Sequence, residues 1–371
     1  MKAEFKHSNS RNLITPIIKV VDYCNYECDF CRYHTSAAKN KMDIELYKVI
    51  VDKAIKFNLA NNWRKVHLIF HGGEPLLWGI DNFVKAVDFQ NEMKLIYPTL
   101  TFTNSIQTNG LLLSQQWIDF FKSNEFGIGV SIDGPESCNF HGNNECVKIV
   151  LDNIQKMNAC GCSFGVLSVI TNNHKGMANQ YYDFLVENNI HSIGLCYCMY
   201  DEATQKTVDN GILSDFLITL FERYYYGDYD LKVREFEDVI RRILNITPPT
   251  CTFCNHENCG NILSITPDGS VSFCDPYTLD NNIIGNIKSD DFFGIKSSDL
   301  YVQLVEIAKR SIIKVCNKCE VNNLCGGGCF RNVLPNEKNA FCDAFKLVYP
   351  FIQEKVQKSI DDDFAKNQIE N

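Results

Sequence analysis

The sequence has no apolar run long enough to cross a bilayer, and its polar first twelve residues contain no apolar stretch typical of a secretory signal. We therefore expect a cytoplasmic protein without a membrane partner. The chain also has no internal repeat and no low-complexity segment, which excludes a solenoid. Basic residues are too few to balance the acidic ones, with 36 Lys and Arg against 45 Asp and Glu. The net charge of −9 argues against nucleic acid as the main partner.

Cysteine, in contrast, is abundant, with 18 residues in a chain of 371. In a cytoplasmic chain so many cysteines indicate metal or redox chemistry rather than disulfides. The length exceeds a comfortable single core, so two domains are expected.

The first 200 or so residues alternate between short β-rich runs and longer helical patterns. Six strands are predicted, at 14–21, 66–70, 101–107, 127–132, 163–170 and 192–198. The first intervening helix has its apolar residues on one face and Asp43 as a plausible N-cap. Six strand–helix units imply an α/β fold with a parallel sheet, although the pattern alone does not separate a doubly wound sheet from a barrel.

Three cysteines follow the first predicted strand in the segment Cys24-Asn-Tyr-Glu-Cys28-Asp-Phe-Cys31. Three thiolates on one tight loop can bind three irons of a cubane cluster and leave the fourth iron open. A catalytic site needs an open metal position, whereas a structural site avoids one. A zinc knuckle or half of a ferredoxin is the alternative for this loop.

Glycine-containing motifs follow the next three predicted strands, at the strand ends where α/β barrels carry their active sites. They are His71-Gly72-Gly73-Glu74-Pro75, Gln107-Thr108-Asn109-Gly110 and Ser131-Ile132-Asp133-Gly134-Pro135. The paired glycines allow a ligand to approach the backbone closely, and Glu74 offers a carboxylate for an amino group. Ser131 and Asp133 alternate with Ile132, so both side chains are expected to point the same way. Ordinary turn chemistry is the alternative for each motif.

Together these segments resemble the radical S-adenosylmethionine (SAM) family. The resemblance implies a partial (β/α)6 barrel of TIM type in which Cys24, Cys28 and Cys31 hold a [4Fe–4S] cluster. SAM would chelate the open iron, and one electron would cleave it to a 5′-deoxyadenosyl radical. The SAM-binding residues that it implies are Phe30, Gly72, Gly73, Glu74, Gln107, Asn109, Ser131, Asp133 and Leu195. For Leu195, plain core packing is the alternative. His141 is displaced from the family pattern and no arginine follows nearby, so no residue is assigned to the SAM carboxylate.

Cysteines dominate the region from Cys251 to Cys342. Cys259, Gly269 and Cys274 are followed by Cys316-x2-Cys319-x5-Cys325-x3-Cys329 and then Cys342. This pattern resembles the SPASM domain of radical SAM enzymes that modify peptides. It implies two auxiliary [4Fe–4S] clusters, three clusters in all, with two zinc sites as the alternative. The resemblance assigns Cys254, Cys259, Cys274 and Cys329 to the inner cluster, and Cys316, Cys319, Cys325 and Cys342 to the outer one. Cys251 competes with Cys254 for the first position.

Asp275 directly follows Cys274, and a matching Cys-Asp pair supplies the general base in sulfatase-maturating enzymes. A carboxylate in a partly desolvated pocket beside a cluster is expected to have a raised pKa suited to accepting a proton. The alternative is an aspartate that caps a loop.

Domain boundaries follow from the Pro248-Pro249 pair and from the shift in composition after it. We predict a radical SAM barrel over 1–225, a helical bridge over 226–249, a small α+β SPASM domain over 250–345 and a C-terminal helix and tail over 346–371.

The resemblance implies a two-electron oxidation of a peptide or protein substrate, with electrons from a flavodoxin- or ferredoxin-type donor. We expect a thioether or carbon–carbon crosslink in a ribosomal natural-product peptide (RiPP), where a separate leader-peptide-binding protein could take part. The alternative is formylglycine formation on a sulfatase. Asp275 favours the alternative, whereas Arg32 and the altered spacing of the upstream cysteines favour the crosslink. A remote further alternative is a non-catalytic iron–sulfur electron carrier.

Overall fold

The computed structural model describes residues 13–28, 30–31, 39–135, 144–199, 207–246, 259–275, 282–334 and 338–369. The predictions for Cys251, Cys254, Arg32, His141 and the Pro248-Pro249 pair lie outside these residues. Two compact units are present. The first comprises Met1–Ser131, Lys148–Phe164 and Glu257–Ile307, and the second comprises Ile132–Val147, Gly165–His256 and Ala308–Asn371.

Strands and helices alternate through the first 200 residues, as predicted. The strands are β1 Thr15–Ile18, β2 Lys65–Phe70, β3 Thr101–Thr108, β4 Gly127–Ser131, β5 Phe164–Ile170, β6 Ser192–Tyr197, β7 Lys232–Val233, β8 Ile262–Ile265, β9 Ser270–Ser272 and β10 Ile283–Asn286. The helices are α1 Ile44–Ala60, α2 Ile80–Ile96, α3 Gln115–Ser123, α4 Asn144–Ala159, α5 Ala178–Glu187, α6 Asn210–Tyr226, α7 Arg234–Ile243, α8 Phe292–Ser297, α9 Asp299–Cys316, α10 Asn322–Cys325 and α11 Cys342–Ile369. Short 3-10 helices occur at Pro75–Trp78, Asn172–His174 and Phe330–Asn332.

In the first unit the strand order is β10-β9-β8-β1-β2-β3-β4. The strands from β1 to β4 pair in parallel, and β8 pairs in parallel with the other edge of β1. β8, β9 and β10 then continue as antiparallel neighbours. This sheet therefore contains strands from both the predicted radical SAM region (1–225) and the predicted SPASM region (250–345). The boundary between these two domains stays a prediction.

In the sequence, Pro267-Asp268-Gly269 lies between two short β-rich runs and predicts a hairpin, and the β8–β9 hairpin forms there. The backbone N–H of Thr266 donates to the carbonyl of Ser270 at 3.0 Å, and Asp268 accepts from the Ser270 N–H at 3.1 Å. Gly269 has φ +90, a backbone conformation that favours glycine. The hydrogen bonds of this turn thus bring β9 back beside β8.

An aromatic cluster fills the core of the first unit beneath β2 and α2. The Phe83 ring lies 5.0 Å from that of Phe70 and 5.3 Å from that of Trp78, and Phe121 and Phe126 pack against the same group. Full burial of each such side chain contributes about 1.5–3 kcal/mol. The cluster anchors the segment Pro75–Trp78, and therefore the loop that precedes it.

The second unit contains β5, β6 and β7, paired in parallel in that order. Residues 212–246 have a helical pattern without a break, which predicts one continuous helix. This prediction is wrong, because α6 ends at Tyr226 and β7 precedes α7. Gly227 follows the last residue of α6, and a Cβ at that position would clash with the carbonyl oxygen of Arg223. Among the described residues, no helix is both long and apolar enough to cross a membrane.

Candidate functional site

The three-cysteine loop follows β1, and its two ends are held together. Asp22 accepts hydrogen bonds from the backbone and side-chain nitrogens of Asn40, at 2.8 and 2.6 Å. An isolated bridge pairs Val21 with Lys41. The thiols of Cys24, Cys28 and Cys31 are half-buried and form no disulfide, and the Phe30 side chain between the last two is half-buried as well. The loop therefore presents three sulfur ligands from one short segment.

The Cys24 thiol lies in a setting that disfavours its charged form. Burial and the nearby Glu74 carboxylate raise the pKa of Cys24 to about 11, although N–H groups of Tyr26 and Asn109 act in the opposite direction. Iron ligation requires the thiolate, so cluster loading must release a proton and supply the positive charge that compensates the burial.

The donor set fits an iron–sulfur cubane. Among the described residues, no three His, Cys, Asp or Glu side chains converge as ligands of one ion would. A cubane instead takes each thiolate on a different iron. The residues that would hold the cluster are Cys24, Cys28 and Cys31, which leaves one iron for a further ligand.

The paired glycines after β2 allow this loop to lie against the chain itself. A Cβ on Gly73 would clash with the carbonyl oxygen of Tyr23, and a Cβ on Gly72 would lie 2.7 Å from Cγ of Lys19. Both glycines have positive φ, +56 and +88. The loop therefore packs on the start of the three-cysteine loop, where the Glu74 N–H donates to the same Tyr23 oxygen at 3.0 Å.

Glu74 is fully buried, and its carboxylate accepts hydrogen bonds from the protein. Oε1 accepts from the Thr108 hydroxyl at 2.8 Å and the Leu76 N–H at 3.0 Å, and Oε2 accepts from the Asn109 N–H at 2.7 Å. Burial outweighs these bonds and raises its pKa to about 7. A carboxylate has about four acceptor positions, so three are used within the protein. Glu74 thus joins the loops after β2 and β3, and its role toward a SAM amino group stays a prediction.

The motif Gln107-Thr108-Asn109-Gly110 spans the end of β3. Its Gln107 side chain contacts β4, and its Asn109 side chain contacts the three-cysteine loop. Gln107 donates from Nε2 to the Ser131 hydroxyl at 2.8 Å. Asn109 donates from Nδ2 to Asn25 Oδ1 at 2.8 Å and approaches Cys24 Sγ at 3.5 Å. The structure therefore brings Asn109, Glu74 and the cysteine loop into one hydrogen-bonded group, with Gln107 and Ser131 paired beside it on neighbouring strands.

In the second unit, Asp133 and Leu195 are both buried. Asp133 is 1% exposed, and its Oδ1 accepts from the Val169 N–H at 2.8 Å. Leu195 is 0% exposed and its N–H donates to Glu235 at 2.8 Å. These positions favour the alternative of core packing for Leu195, and the SAM-binding roles of the two residues stay predictions.

Asp275 forms an ion pair with a residue far away in the sequence. Lys19 Nζ lies 2.6 Å from Asp275 Oδ1, with 1% of the lysine side chain and 29% of the aspartate side chain exposed. Burial alone would raise the pKa of Asp275, but the Lys19 ammonium, with help from His71, lowers it to about 2. The expectation of a raised pKa is therefore wrong. The available signal was a lysine within the apolar run Ile17-Ile18-Lys19-Val20-Val21, where a charged side chain requires a partner.

Four cysteines of the SPASM pattern surround one pocket in the second unit. Its empty space is about 270 Å³, part of it open to solvent, and its lining includes Cys316, Cys319, Cys325 and Cys342. These are the four residues predicted for the outer cluster. Their shared pocket would suit a group bound by four thiolates, and the outer cluster stays a prediction.

The predicted inner cluster is described only in part. Cys259 and Cys274 belong to the first unit and Cys329 to the second, and each is half-buried and forms no disulfide. Because Cys254 lies outside the described residues, this grouping stays a prediction.

Family models match two stretches of the chain. The radical SAM superfamily model matches residues 18–183, and the SPASM model, an iron–sulfur cluster-binding domain, matches residues 251–320. The chain is a radical SAM enzyme with a SPASM domain. Its cofactors are accordingly a [4Fe–4S] cluster with SAM in the first domain and auxiliary iron–sulfur clusters in the second. Its chemistry is of the oxidoreductase type.

Curated relatives and solved structures are similar over most of this radical SAM–SPASM chain. A cysteine-type anaerobic sulfatase-maturating enzyme of Clostridium novyi is 28% identical, covering 90% of this chain and 93% of the relative. A serine-type enzyme of Bacteroides thetaiotaomicron is 25% identical, covering 90% and 86%. The structure of native anSMEcpe with bound AdoMet and Cp18Cys peptide gives a TM-score of 0.79 at 25% identity, covering 93% of this chain and 99% of that one. Streptococcus suis SuiB bound to precursor peptide SuiA gives 0.63 at 15% identity, covering 87% and 73%, which shows the fold alone.

Proposed function

We propose that the chain oxidises a cysteine or serine side chain of a bound peptide by two electrons to give formylglycine. The observation that carries this proposal is Asp275, a carboxylate directly after Cys274 that Lys19 keeps ionised at neutral pH. Likeness to sulfatase-maturating enzymes of both types along about nine-tenths of the chain supports the same reaction. Because of this similarity, we now place formylglycine formation before the RiPP crosslink, which the sequence alone had favoured.

The proposed reaction removes one hydrogen atom from Cβ of the substrate residue, one proton from its thiol or hydroxyl, and one further electron. When bound, the cluster with SAM supplies the radical that takes the hydrogen atom, and an auxiliary cluster supplies an electron acceptor. Asp275 receives the proton. A serine then gives the aldehyde directly, whereas a cysteine gives a thioaldehyde that water converts to the aldehyde with release of hydrogen sulfide.

The Lys19 pair has two opposite effects on this proton transfer. It keeps Asp275 in the ionised form that accepts a proton, and it fixes the carboxylate in place. A pKa near 2 also makes Asp275 a weak base, because proton-transfer efficiency falls when the acceptor is far below the working pH. The proton must therefore come from a group that hydrogen-atom loss has already made more acidic.

A RiPP thioether or carbon–carbon crosslink is the second candidate. It is favoured by Arg32 after the third cysteine and by the altered spacing of the cysteines upstream of Cys259. The displaced His141, with no arginine nearby, is a further departure from sulfatase-maturating enzymes. Both candidates share the two-electron oxidation of a peptide, so they differ in product rather than in the role of Asp275. An external electron donor and a leader-binding protein belong to this proposal as well.

An anaerobic assay distinguishes the two products. Reconstituted enzyme, SAM and reductant are incubated with three matched sulfatase-derived peptides carrying Cys, Ser or Ala at the target position. Mass spectrometry with a hydrazine trap reads aldehydes, and 5′-deoxyadenosine is measured in parallel. We expect a trapped aldehyde on the Cys or Ser peptide and none on the Ala peptide.

An Asp275→Asn variant serves as the control for the general base. It should still release 5′-deoxyadenosine but form little aldehyde. A peptide that loses two hydrogens with no trapped aldehyde would support the crosslink and overturn the proposal. No 5′-deoxyadenosine under strong reduction, with the cluster present, would leave the non-catalytic electron carrier as the interpretation.

A further inference from the structure

The side-chain amide of Asn109 lies beside the first cluster ligand. Its Nδ2 is 3.5 Å from Cys24 Sγ, a distance suited to an N–H···S hydrogen bond because sulfur is larger than oxygen. The same nitrogen donates to Asn25 Oδ1 at 2.8 Å. An amide nitrogen has two hydrogens, so both contacts can be made together.

The orientation of Asn109 is fixed from several directions. Its Oδ1 accepts from the Leu111 N–H at 3.0 Å, which identifies the other side-chain atom as the donor toward sulfur. Its backbone N–H donates to the buried Glu74 carboxylate at 2.7 Å. Thr108, which also donates to Glu74, accepts from the Gly110 N–H at 3.1 Å. The side chain is therefore held at the sulfur by the backbone on both sides of it.

A donor so placed acts on the charge of the cluster ligand. Reduction adds one negative charge that is shared with the ligand sulfurs, and hydrogen bonds to those sulfurs are among the factors that set the reduction potential. An N–H group near sulfur stabilises the reduced form more than the oxidised form, because the reduced form carries the greater negative charge. Loss of the donor should make the cluster harder to reduce.

We propose that Asn109 is a positioning residue that raises the reduction potential of the cluster on Cys24, Cys28 and Cys31 through its hydrogen bond to Cys24, and that Glu74 holds it in place. The inference uses the cluster site of the proposed function but is independent of the substrate and of the product. A higher potential favours electron transfer from the external donor to this cluster, and it lowers the driving force of the next transfer, from the cluster to SAM.

The test is an EPR-monitored redox titration of the full, reconstituted enzyme without peptide. The signal of this cluster is identified among those of the auxiliary clusters by its change when SAM is added. In Asn109→Ala we expect the equilibrium constant for one-electron reduction to fall by up to about tenfold, which corresponds to about 59 mV toward more negative potential. Asn109→Asp keeps the size of the side chain but replaces the donor by a charged acceptor, so its shift should have the same sign and be larger.

Asn124→Ala is the matched control, since Asn124 is also a half-buried asparagine but donates to the Phe120 carbonyl at 2.8 Å rather than to a cysteine. Its cluster potential should equal that of the wild type. Iron and sulfide contents, measured on every variant, show whether the cluster is loaded. An unchanged potential in loaded Asn109→Ala and Asn109→Asp would overturn the inference. If the potential shifts in these variants but the enzyme modifies no peptide, the inference is upheld and the proposed function fails.

Discussion

Lys19 Nζ lies 2.6 Å from Asp275 Oδ1, and only 1% of the lysine side chain is exposed. An ammonium group buried to this extent requires a counter-charge, which Asp275 provides. Gly72 makes the arrangement possible, because a Cβ there would lie 2.7 Å from Cγ of the lysine. The pair therefore links the end of β1, the loop after β2 and the residue after Cys274.

Replacing Lys19 by Met should leave the Asp275 carboxylate without its counter-charge. We expect a loss of about 3 kcal/mol in the free energy of unfolding, measured by anaerobic urea denaturation. Lys48→Met is the control, because Lys48 forms an exposed pair with Glu45 at 2.8 Å that water screens, so its loss should cost much less stability than that of Lys19. Equal losses in the two variants would contradict a structural role for the buried pair.

The same Lys19→Met substitution should change the pH dependence of activity. In the wild type the pKa of Asp275 is lowered to about 2, so the carboxylate is ionised throughout the neutral range. Without Lys19, burial raises this pKa, and the acidic limb of the rate profile should move to higher pH. The measurement is the rate of aldehyde formation from pH 5 to 9, and a profile identical in shape to that of the wild type would count against Asp275 as the base.

Gly73→Ala should disturb the three-cysteine loop. Its Cβ would clash with the carbonyl oxygen of Tyr23, just before Cys24, so the loop must shift. Gly161→Ala is matched to it, since Gly161 has φ +63 against +56 for Gly73 but has open space around the added Cβ. We expect lower iron content and a lower melting temperature for Gly73→Ala than for Gly161→Ala. If the two variants behave alike, backbone strain rather than the clash decides the outcome.

Glu74 should give the cluster-free protein a distinctive pH dependence of stability. Its folded pKa of about 7 lies above the ordinary value of 4.5, so the folded state binds the proton more tightly. The resulting stabilisation is complete below pH 4.5 and is lost as the pH rises through 7, with a total of about 3 kcal/mol. Urea denaturation of wild type and Glu74→Gln across this range should give two stability curves whose difference has this slope, because all other titrating groups are shared. Parallel curves would mean that Glu74 titrates normally.

Cys325→Ala should remove one auxiliary cluster. Cys325 lines the pocket that it shares with the other three predicted outer ligands, so reconstitution should incorporate about one-third less iron than in the wild type. Cys160→Ala, outside the SPASM pattern, should keep the full iron content. A normal iron content in Cys325→Ala would refute the assignment of the outer cluster.

The sequence was sufficient for the strands of the barrel and for the motifs at their ends. The predicted runs 66–70 and 101–107 differ from β2 and β3 by one residue at one end, because alternating burial leaves a clear period of two. Asp43 caps α1 as predicted, accepting from the Glu45 N–H at 2.9 Å. The break between α6 and α7 was missed, since β7 is only two residues long and its pairing with β6 comes from the tertiary structure.

The cluster site was less predictable than its motifs. The paired glycines predicted that a ligand approaches the backbone closely. The structure places the backbone of Tyr23 against Gly73, which the sequence did not show. The partner of Asp275 lies more than 250 positions earlier in the chain, beyond the reach of any local pattern. Its pKa was mispredicted for that reason, because burial and a counter-charge act in opposite directions.

The parallel pairing of β8 with β1 bears on how far this enzyme can be shortened. A chain that ended before residue 259 would expose the backbone N–H and C=O groups along one edge of β1. Such an edge is open to pairing with other molecules, so the truncated chain should precipitate or associate. The C-terminal segment therefore completes the sheet that carries the three-cysteine loop, so the stability of the first half of the chain depends on residues that come after position 250.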